Sequence, residues 1–156
     1  MKTVADLAAL TRQRTWDKDL VLWIGSEKAL IEALGEVPHT TLDLLDLFEE
    51  DHLPMDDEET RTQLIRGLRR TLRTIETAPE RRTVLIVKSI GLLARYRAGV
   101  KEFYDWFCSD FAMAVLVLED STEAYLWPED VVCDPDRLID YFQVPLVVKQ
   151  IFRERG

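Results

Sequence analysis

The 156-residue chain is poor in residues that cross-link a fold or hold a metal, with two cysteines and two histidines. Cys108 and Cys133 stand far apart and form no Cys-x-x-Cys pair, so the sequence predicts neither a disulfide framework nor a zinc knuckle. No apolar run reaches the length of a transmembrane helix. Asp6 interrupts the apolar N-terminal stretch and Arg12 follows it, which predicts no signal peptide. We therefore expect a cytoplasmic protein.

Basic residues are also in deficit, since 20 Lys and Arg face 29 Asp and Glu and give a net charge of -9. An acidic protein repels nucleic-acid backbones and anionic membranes at long range. We therefore expect no membrane contact, and we expect nucleic acid less than protein as a partner. The hydrophobic fraction of 47% excludes disorder as the main state. At this length, the chain is predicted to form a single domain over residues 1–156.

Apolar runs of strand length alternate with amphipathic segments of helix length. Strands are predicted at 19–24, 39–44, 83–88 and 112–118, and the segment 144–152 is left open between a fifth strand, near 144–149, and a helix. Nearly continuous apolar runs are typical of strands that are covered on both faces of a parallel sheet. Right-handed crossovers then place helices on both faces. The sequence predicts an α/β protein, a three-layered sandwich with a mainly parallel sheet.

The helix boundaries carry their own signals. Thr3 and Asp6 resemble a capping box at the start of a short helix over 3–14 that packs on the domain. Ser26 is a good N-cap for the second helix, and Gly35 supplies the left-handed residue that ends it. Helices are predicted at 3–14, 27–34, 56–77 and 100–111, and from 135 onward.

In parallel α/β folds, ligand sites lie beyond the carboxyl ends of the strands. We therefore take the polar residues and the glycine at the predicted strand ends as candidate site residues: Gly25, Ser26, Asp43, Asp46, Lys88, Ser89, Glu119 and Asp120.

From Asp19 to about Phe142, the order of elements resembles that of small P-loop NTPase-like proteins, and most closely the BrxF family of BREX phage-defence systems. Leu-Val-Leu-Trp-Ile-Gly-Ser-Glu-Lys-Ala-Leu stands where the family has a strand and its Walker A loop, and Thr-Val-Leu-Ile-Val-Lys-Ser-Ile-Gly-Leu-Leu stands at its Walker B strand. The resemblance implies a P-loop NTPase-like fold in which the strand that begins at Asp19 neighbours the strand that begins at Ala112. It also implies an accessory or scaffolding role in a phage-defence complex, with other proteins of that system as partners.

The residues that carry P-loop chemistry are replaced. A Walker A motif has the form G-x-x-x-x-G-K-[ST], but only two residues separate Gly25 from Lys28, and Ala29 takes the place of the magnesium-binding hydroxyl. At the second motif, Lys88 stands in place of the acid that organises the metal. We expect no catalytic residue, metal or cofactor, with an atypical nucleotide-binding ATPase as an alternative. The expected degenerate nucleotide site comprises Gly25, Ser26, Lys28, Lys88, Glu119 and Asp120.

Lys88 has two interpretations. We expect it to form an ion pair with Glu119 or Asp120 that closes the degenerate site, because a lysine at a strand end usually reaches the nearest carboxylate. The alternative is an anion pocket made by Lys28 and Lys88. A metal nuclease site is disfavoured, because Ile86 stands where such an enzyme has an acid two positions before its lysine.

The long helix carries a localised cationic face made of Arg66, Arg69, Arg70 and Arg73, on the side away from its leucines. Such a face is a solvated surface paired with its own acids, or a docking site for an acidic protein or a nucleic-acid backbone. No aromatic residues interleave with the arginines to stack on bases, so a protein partner is preferred and a nucleic-acid-binding regulator is the rival function. Trp127, after the fourth strand, is predicted as a further partner contact.

Overall fold

The structure is a computed structural model that describes residues 3–12, 19–48, 56–75, 83–98, 102–103, 112–118 and 151–154. The strands in these ranges are β1 (Asp19–Ile24), β2 (His39–Asp43), β3 (Thr83–Lys88), β4 (Ala112–Leu118) and β5 (Ile151–Arg153). The helices are α1 (Val4–Thr11), α2 (Glu27–Leu34), a 3-10 helix (Leu44–Leu47), α3 (Asp57–Thr74) and α4 (Gly91–Arg95).

The five strands form one sheet in the order β2-β3-β4-β1-β5, and every pair of neighbours is parallel. The predicted α/β class is therefore confirmed. β1 lies beside β4, with Asp19 opposite Met113 and Ile24 opposite Leu118. This confirms the predicted neighbourhood of the two strands. Because all five strands run the same way, their carboxyl ends meet along one edge of the sheet.

Apolar side chains from alternate strand positions build two separate cores, one on each face of the sheet. Leu22 packs in the core that contains Leu68 of α3, whereas Trp23 packs in the core that contains Leu7 of α1 and Leu30 of α2. Burying one such side chain contributes about 1.5–3 kcal/mol to stability. Helices thus cover both faces, as the continuous apolar runs of β1, β3 and β4 predicted.

Short polar side chains start the helices where the sequence predicted. The Asp6 carboxylate accepts the Thr3 N–H at 2.7 Å at the start of α1, and Asp56 accepts the Glu59 N–H at 2.7 Å at the start of α3. Gly35 ends α2 with φ of 59°. α1 ends at Thr11 and α3 ends at Thr74, both earlier than predicted.

Other predictions differ from the structure or fall outside it. α4 (Gly91–Arg95) was not predicted, because five residues are too few to show a helical period. Of the helix predicted at 100–111, only 102–103 are described, and both are helical. The predicted strand at 144–149 and the helix from 135 lie outside the described residues, and β5 is found at Ile151–Arg153. Within the described residues, no helix combines the length and apolar character that a bilayer crossing requires.

Candidate functional site

The turn between β1 and α2 lies at the carboxyl edge of the sheet, between the ends of β4 and β5. Only Gly25 and Ser26 separate the end of β1 from the start of α2. The Gly25 N–H donates to the carbonyl oxygen of Leu118 at 3.0 Å, which continues the β1–β4 pairing into the turn. The Ser26 hydroxyl oxygen accepts the Ala29 N–H at 3.2 Å, so Ser26 is the N-cap that the sequence predicted.

Glu154 brings a carboxylate to this turn from 128 residues away in the sequence. The Ser26 N–H donates to Glu154 Oε2 at 2.8 Å, and the Ser26 hydroxyl lies 3.5 Å from Oε1. The Glu154 N–H donates to the carbonyl oxygen of Ile24 at 3.0 Å, which holds its backbone against β1. A helix N-terminus favours negative charge, because its N–H groups point outward and its dipole is positive there. The protein therefore supplies its own anion at the start of α2.

Gly25 is required for this arrangement. A Cβ atom at Gly25 would lie 2.5 Å from Glu154 Cβ, 2.7 Å from Glu154 Oε2 and 3.2 Å from Trp23 Nε1. The Trp23 indole in turn donates to the carbonyl oxygen of Ser26 at 3.0 Å. The turn, the Trp23 ring and Glu154 form one packed unit that excludes any side chain at position 25.

A second ionic contact links β3 to the same helix. Lys88, at the end of β3, has its Nζ 3.0 Å from Glu27 Oε2, and both side chains are partly buried. Lys88 thus forms an ion pair with an acid of α2. Its predicted pairing with Glu119 or Asp120 lies outside the described residues. Lys28, the other cation of the predicted anion pocket, is exposed on α2.

The end of β2 is joined to the end of β3 by Ser89 and Asp43. The Ser89 hydroxyl donates to Asp43 Oδ1 at 2.7 Å, and the same oxygen accepts the Leu45 N–H at 3.1 Å. Ser89 is buried and has φ of 60°. A left-handed residue other than glycine costs about 1–2 kcal/mol. The contact with Asp43 helps to hold Ser89 in this conformation.

The structure brings Gly25, Ser26 and Lys88 to one edge of the sheet, as predicted. Glu119, Asp120 and the predicted partner contact Trp127 lie outside the described residues. Sequence reasoning missed Glu154, because no local pattern connects it to a turn so far away in the chain. Among the described residues, no group of three or more His, Cys, Asp and Glu side chains could hold a metal ion.

The predicted arginine face of α3 contains Arg69, which pairs with an acid from another part of the chain, and three further arginines. Arg69 makes a bidentate ion pair with Glu102, with Nε to Oε2 at 2.8 Å and Nη2 to Oε1 at 3.2 Å. The Glu102 side chain is 8% exposed, so Arg69 neutralises a buried acid. Arg69 therefore has a structural role in neutralising Glu102, and its predicted contact with a partner stays a prediction. Arg66, Arg70 and Arg73 are exposed.

Two open cavities lie along this helix. The larger has a volume of about 630 Å³ and is lined by Thr62, Ile65, Arg66, Arg69, Arg70, Arg73 and Thr74. The smaller has a volume of about 240 Å³ and is lined by Leu47, Glu59, Thr62, Gln63, Arg66, Gly67 and Arg70. The 3-10 helix approaches α3 closely at Gly67, where a Cβ atom would lie 3.2 Å from Leu47 Cβ.

Comparison with known proteins adds no family assignment. No protein-family model matches the chain, and no curated protein matches it significantly in sequence. The function is therefore argued from the geometry of the sheet edge and of α3.

Proposed function

We propose that the chain is a P-loop NTPase-like domain that does not hydrolyse nucleotide and acts through protein–protein contacts, as an accessory or scaffolding component of a bacterial phage-defence system of the BREX type. One observation carries the first half of the proposal: Ser26 N–H donates to Glu154 Oε2 at 2.8 Å. This hydrogen bond puts a negative charge at the start of α2, where a P-loop domain would bind a phosphate.

A nucleotide phosphate would have to displace this carboxylate or approach it. Like unit charges about 4 Å apart repel by about 4 kcal/mol near a protein surface. Glu27 adds a second carboxylate in the first turn of α2. The two-residue turn also has too few backbone N–H groups to surround a phosphate. Both features oppose nucleotide binding.

The residue at the Walker B position also supports a site that does not hydrolyse nucleotide. Lys88 stands where the family has its metal-organising acid, and its ammonium group contacts Glu27 at 3.0 Å. A cation at this position repels Mg²⁺. The Asp43 oxygen that faces this region accepts two hydrogen bonds from within the chain.

The topology favours the P-loop interpretation itself. β1 lies inside an all-parallel sheet, next to β4, and leads through a glycine turn directly into α2. The resemblance seen in the sequence implied this neighbourhood of strands. We therefore keep the family's fold as part of the proposal while its nucleotide chemistry is left out.

The proposed protein contacts rest on α3. Arg66, Arg70 and Arg73 are exposed on a chain whose net charge is -9. Exposed charges of this kind contribute to partner recognition far more than to the stability of the fold. A concentrated cationic face on an acidic protein is suited to an acidic protein surface.

Titration calorimetry with ATP and Mg²⁺ tests the nucleotide half of the proposal. We expect no binding heat and no turnover. Micromolar affinity, or ATP hydrolysis that is lost in Lys28→Ala, would overturn the proposal and support an ATPase. Glu36→Ala is a matched surface control, because Glu36 is exposed outside the β1–α2 turn.

The genes beside this one test the biological half. Genes for a defence methyltransferase, a phosphatase-like protein and a large ATPase alongside would support the phage-defence role. A lone gene among unrelated metabolic genes would contradict it.

A further inference from the structure

We infer that the exposed arginines of α3 and the groove beside them bind an acidic, amphipathic segment of a partner protein. The inference rests on the proposed role in protein contacts and specifies the chemistry of the partner. We call Arg66, Arg70 and Arg73, together with the groove lined by Leu47 and Gly67, the α3 surface.

The cationic half of the α3 surface consists of three arginines on successive turns. Arg66, Arg70 and Arg73 are exposed and line the larger cavity. At a rise of about 1.5 Å per residue, they span about 10 Å along the helix. Guanidinium groups bind carboxylates through paired, parallel hydrogen bonds, which makes arginine more selective than lysine for planar acids. The row is suited to a segment that presents carboxylates on successive turns.

The same helix already binds one carboxylate in this way. Arg69 holds Glu102 through contacts of 2.8 and 3.2 Å, although Glu102 comes from another part of the chain. An arginine of α3 therefore binds a carboxylate through two contacts in this structure. Arg66, Arg70 and Arg73 project from the neighbouring positions of this helix.

The apolar half of the α3 surface comes from the 3-10 helix. Leu47 is half-buried against Gly67 and lines the smaller cavity. An apolar side chain of the partner would contact this end of the surface and remove it from water.

Arg66 and Arg70 line the same groove as Leu47, so its cationic and apolar groups lie close together. The expected segment therefore combines an apolar anchor with carboxylates placed towards Arg70 and Arg73.

These features favour a protein over a nucleic acid. The net charge of -9 repels a polyanion at long range. Among the described residues, no aromatic ring lines either cavity to stack on a base. A phosphodiester backbone also has no apolar group that would match Leu47.

Fluorescence anisotropy with the full chain tests the inference. The probe is a labelled helical peptide of about 15 residues, with Glu on successive turns and Leu on the adjoining face. Its counterpart carries Gln in place of Glu, and a single-stranded oligonucleotide of equal charge serves as the nucleic-acid probe. We expect saturable binding of the Glu peptide and much weaker binding of the other two.

Charge removal is compared at matched sites. R66A/R70A/R73A should weaken binding of the Glu peptide about tenfold or more, since three charge contacts are lost. The control R12A/R61A/R97A removes the same charge from arginines that line neither cavity, and it should bind like the parent. Equal affinity of the two triple variants would overturn the inference, as would equal binding of the Gln peptide.

Two further variants distinguish a protein partner from a nucleic-acid partner. R66K/R70K/R73K keeps the charge but loses the paired hydrogen bonds, so it should weaken the Glu peptide while leaving phosphate-backbone binding nearly unchanged. Leu47→Ala should weaken binding of the Glu peptide and leave binding of the oligonucleotide unchanged. Tighter binding of the oligonucleotide than of the Glu peptide would replace the inferred partner with a nucleic acid. If neither probe binds and calorimetry shows no heat of ATP binding, this inference is wrong. The proposal of a P-loop-like domain that does not hydrolyse nucleotide then still stands.

Discussion

The carboxyl edge of the sheet and the face of α3 that carries Arg66, Arg70 and Arg73 differ in their exposure to solvent. At the sheet edge the chain supplies partners for its own polar groups: Glu154 for the Ser26 N–H, Glu27 for Lys88, and Asp43 for Ser89. On α3, the exposed arginines line open cavities. The comparison indicates that this α/β chain fills the carboxyl edge of its sheet with its own side chains and presents a charged helix face elsewhere.

The two regions also differ in the range of their contacts. The Ser26–Glu154 contact joins residues 128 apart, and the Ser89–Asp43 contact joins residues 46 apart. The exposed arginines come from a single helix, whose burial rests on leucines on its other side. Substitutions at the sheet edge should therefore reduce stability, whereas substitutions of the exposed arginines should reduce binding. The expected loss of stability decreases from Gly25→Ala through Arg69→Ala and Glu154→Ala to R66A/R70A/R73A.

The largest effect is expected at Gly25. Gly25→Ala should lower the free energy of unfolding by about 3 kcal/mol, because the new Cβ would overlap Glu154 Cβ, which can move only with its backbone. Gly35→Ala is the control: it also has positive φ, but nothing lies within 4 Å of its Cβ position, so the cost should be about 1 kcal/mol. Urea denaturation measures both. Equal losses in the two variants would refute the close packing at the turn.

A smaller loss of stability is expected at Arg69, whose charge neutralises the buried Glu102. Arg69→Ala leaves Glu102 buried without its partner and should cost about 2 kcal/mol, reduced from the value for a fully buried pair because Arg69 is 55% exposed. Arg73→Ala on the same helix should change stability by less than about 0.5 kcal/mol. Thermal and urea unfolding of both variants distinguish them. Similar stability of the two variants would show that the Arg69–Glu102 pair does not stabilise the fold.

Removal of the Glu154 carboxylate should lower the free energy of unfolding still less. Glu154→Ala loses the acceptor for the Ser26 N–H and should cost about 1 kcal/mol, similar to the loss of a helix cap. Glu154→Gln keeps an acceptor oxygen and loses only the charge, so it should cost a few tenths of that value, about 0.3–0.5 kcal/mol. If the Gln variant is as unstable as the Ala variant, the charge at the helix start matters more than the hydrogen bond.

The smallest effect on stability is expected for R66A/R70A/R73A. These side chains lie opposite Leu64, Leu68 and Leu72, which are buried. The free energy of unfolding should therefore change by less than about 1 kcal/mol in total. A large loss would mean that these arginines hold acids of the chain itself, and the face would then be structural like Arg69.

Much of the fold could be predicted because its signals are local. The apolar runs of β1, β3 and β4, the Ser26 cap and Gly35 each mark an element within a few residues. The neighbourhood of β1 and β4 came from the family resemblance and is confirmed. The five-residue helix α4 is too short to show a period and was not placed from the sequence, whereas β5 begins at the end of the segment 144–152 that the sequence left open between strand and helix.

The site was less predictable because its contacts are long-range. Ser26 and Lys88 were identified as site residues, but Glu154 carries no motif and reaches Ser26 only through the pairing of β5 with β1. Arg69 was grouped with its neighbours because helical spacing alone cannot reveal Glu102 beneath it. Helical spacing predicts on which face of a helix a residue lies. Its structural role depends on the partner that another element supplies, and spacing does not reveal that partner.

The central claim is that Glu154 holds the anion position at the start of α2 against nucleotide. The most direct measurement follows the backbone amide resonances of Ser26 and Ala29 by NMR while ATP and Mg²⁺ are added to the unmodified protein. We expect both resonances to stay unchanged, while Glu154→Gln alone shifts the Ser26 amide. A saturable shift of the Ser26 amide on addition of ATP to the unmodified protein would show that nucleotide reaches the start of α2 despite Glu154.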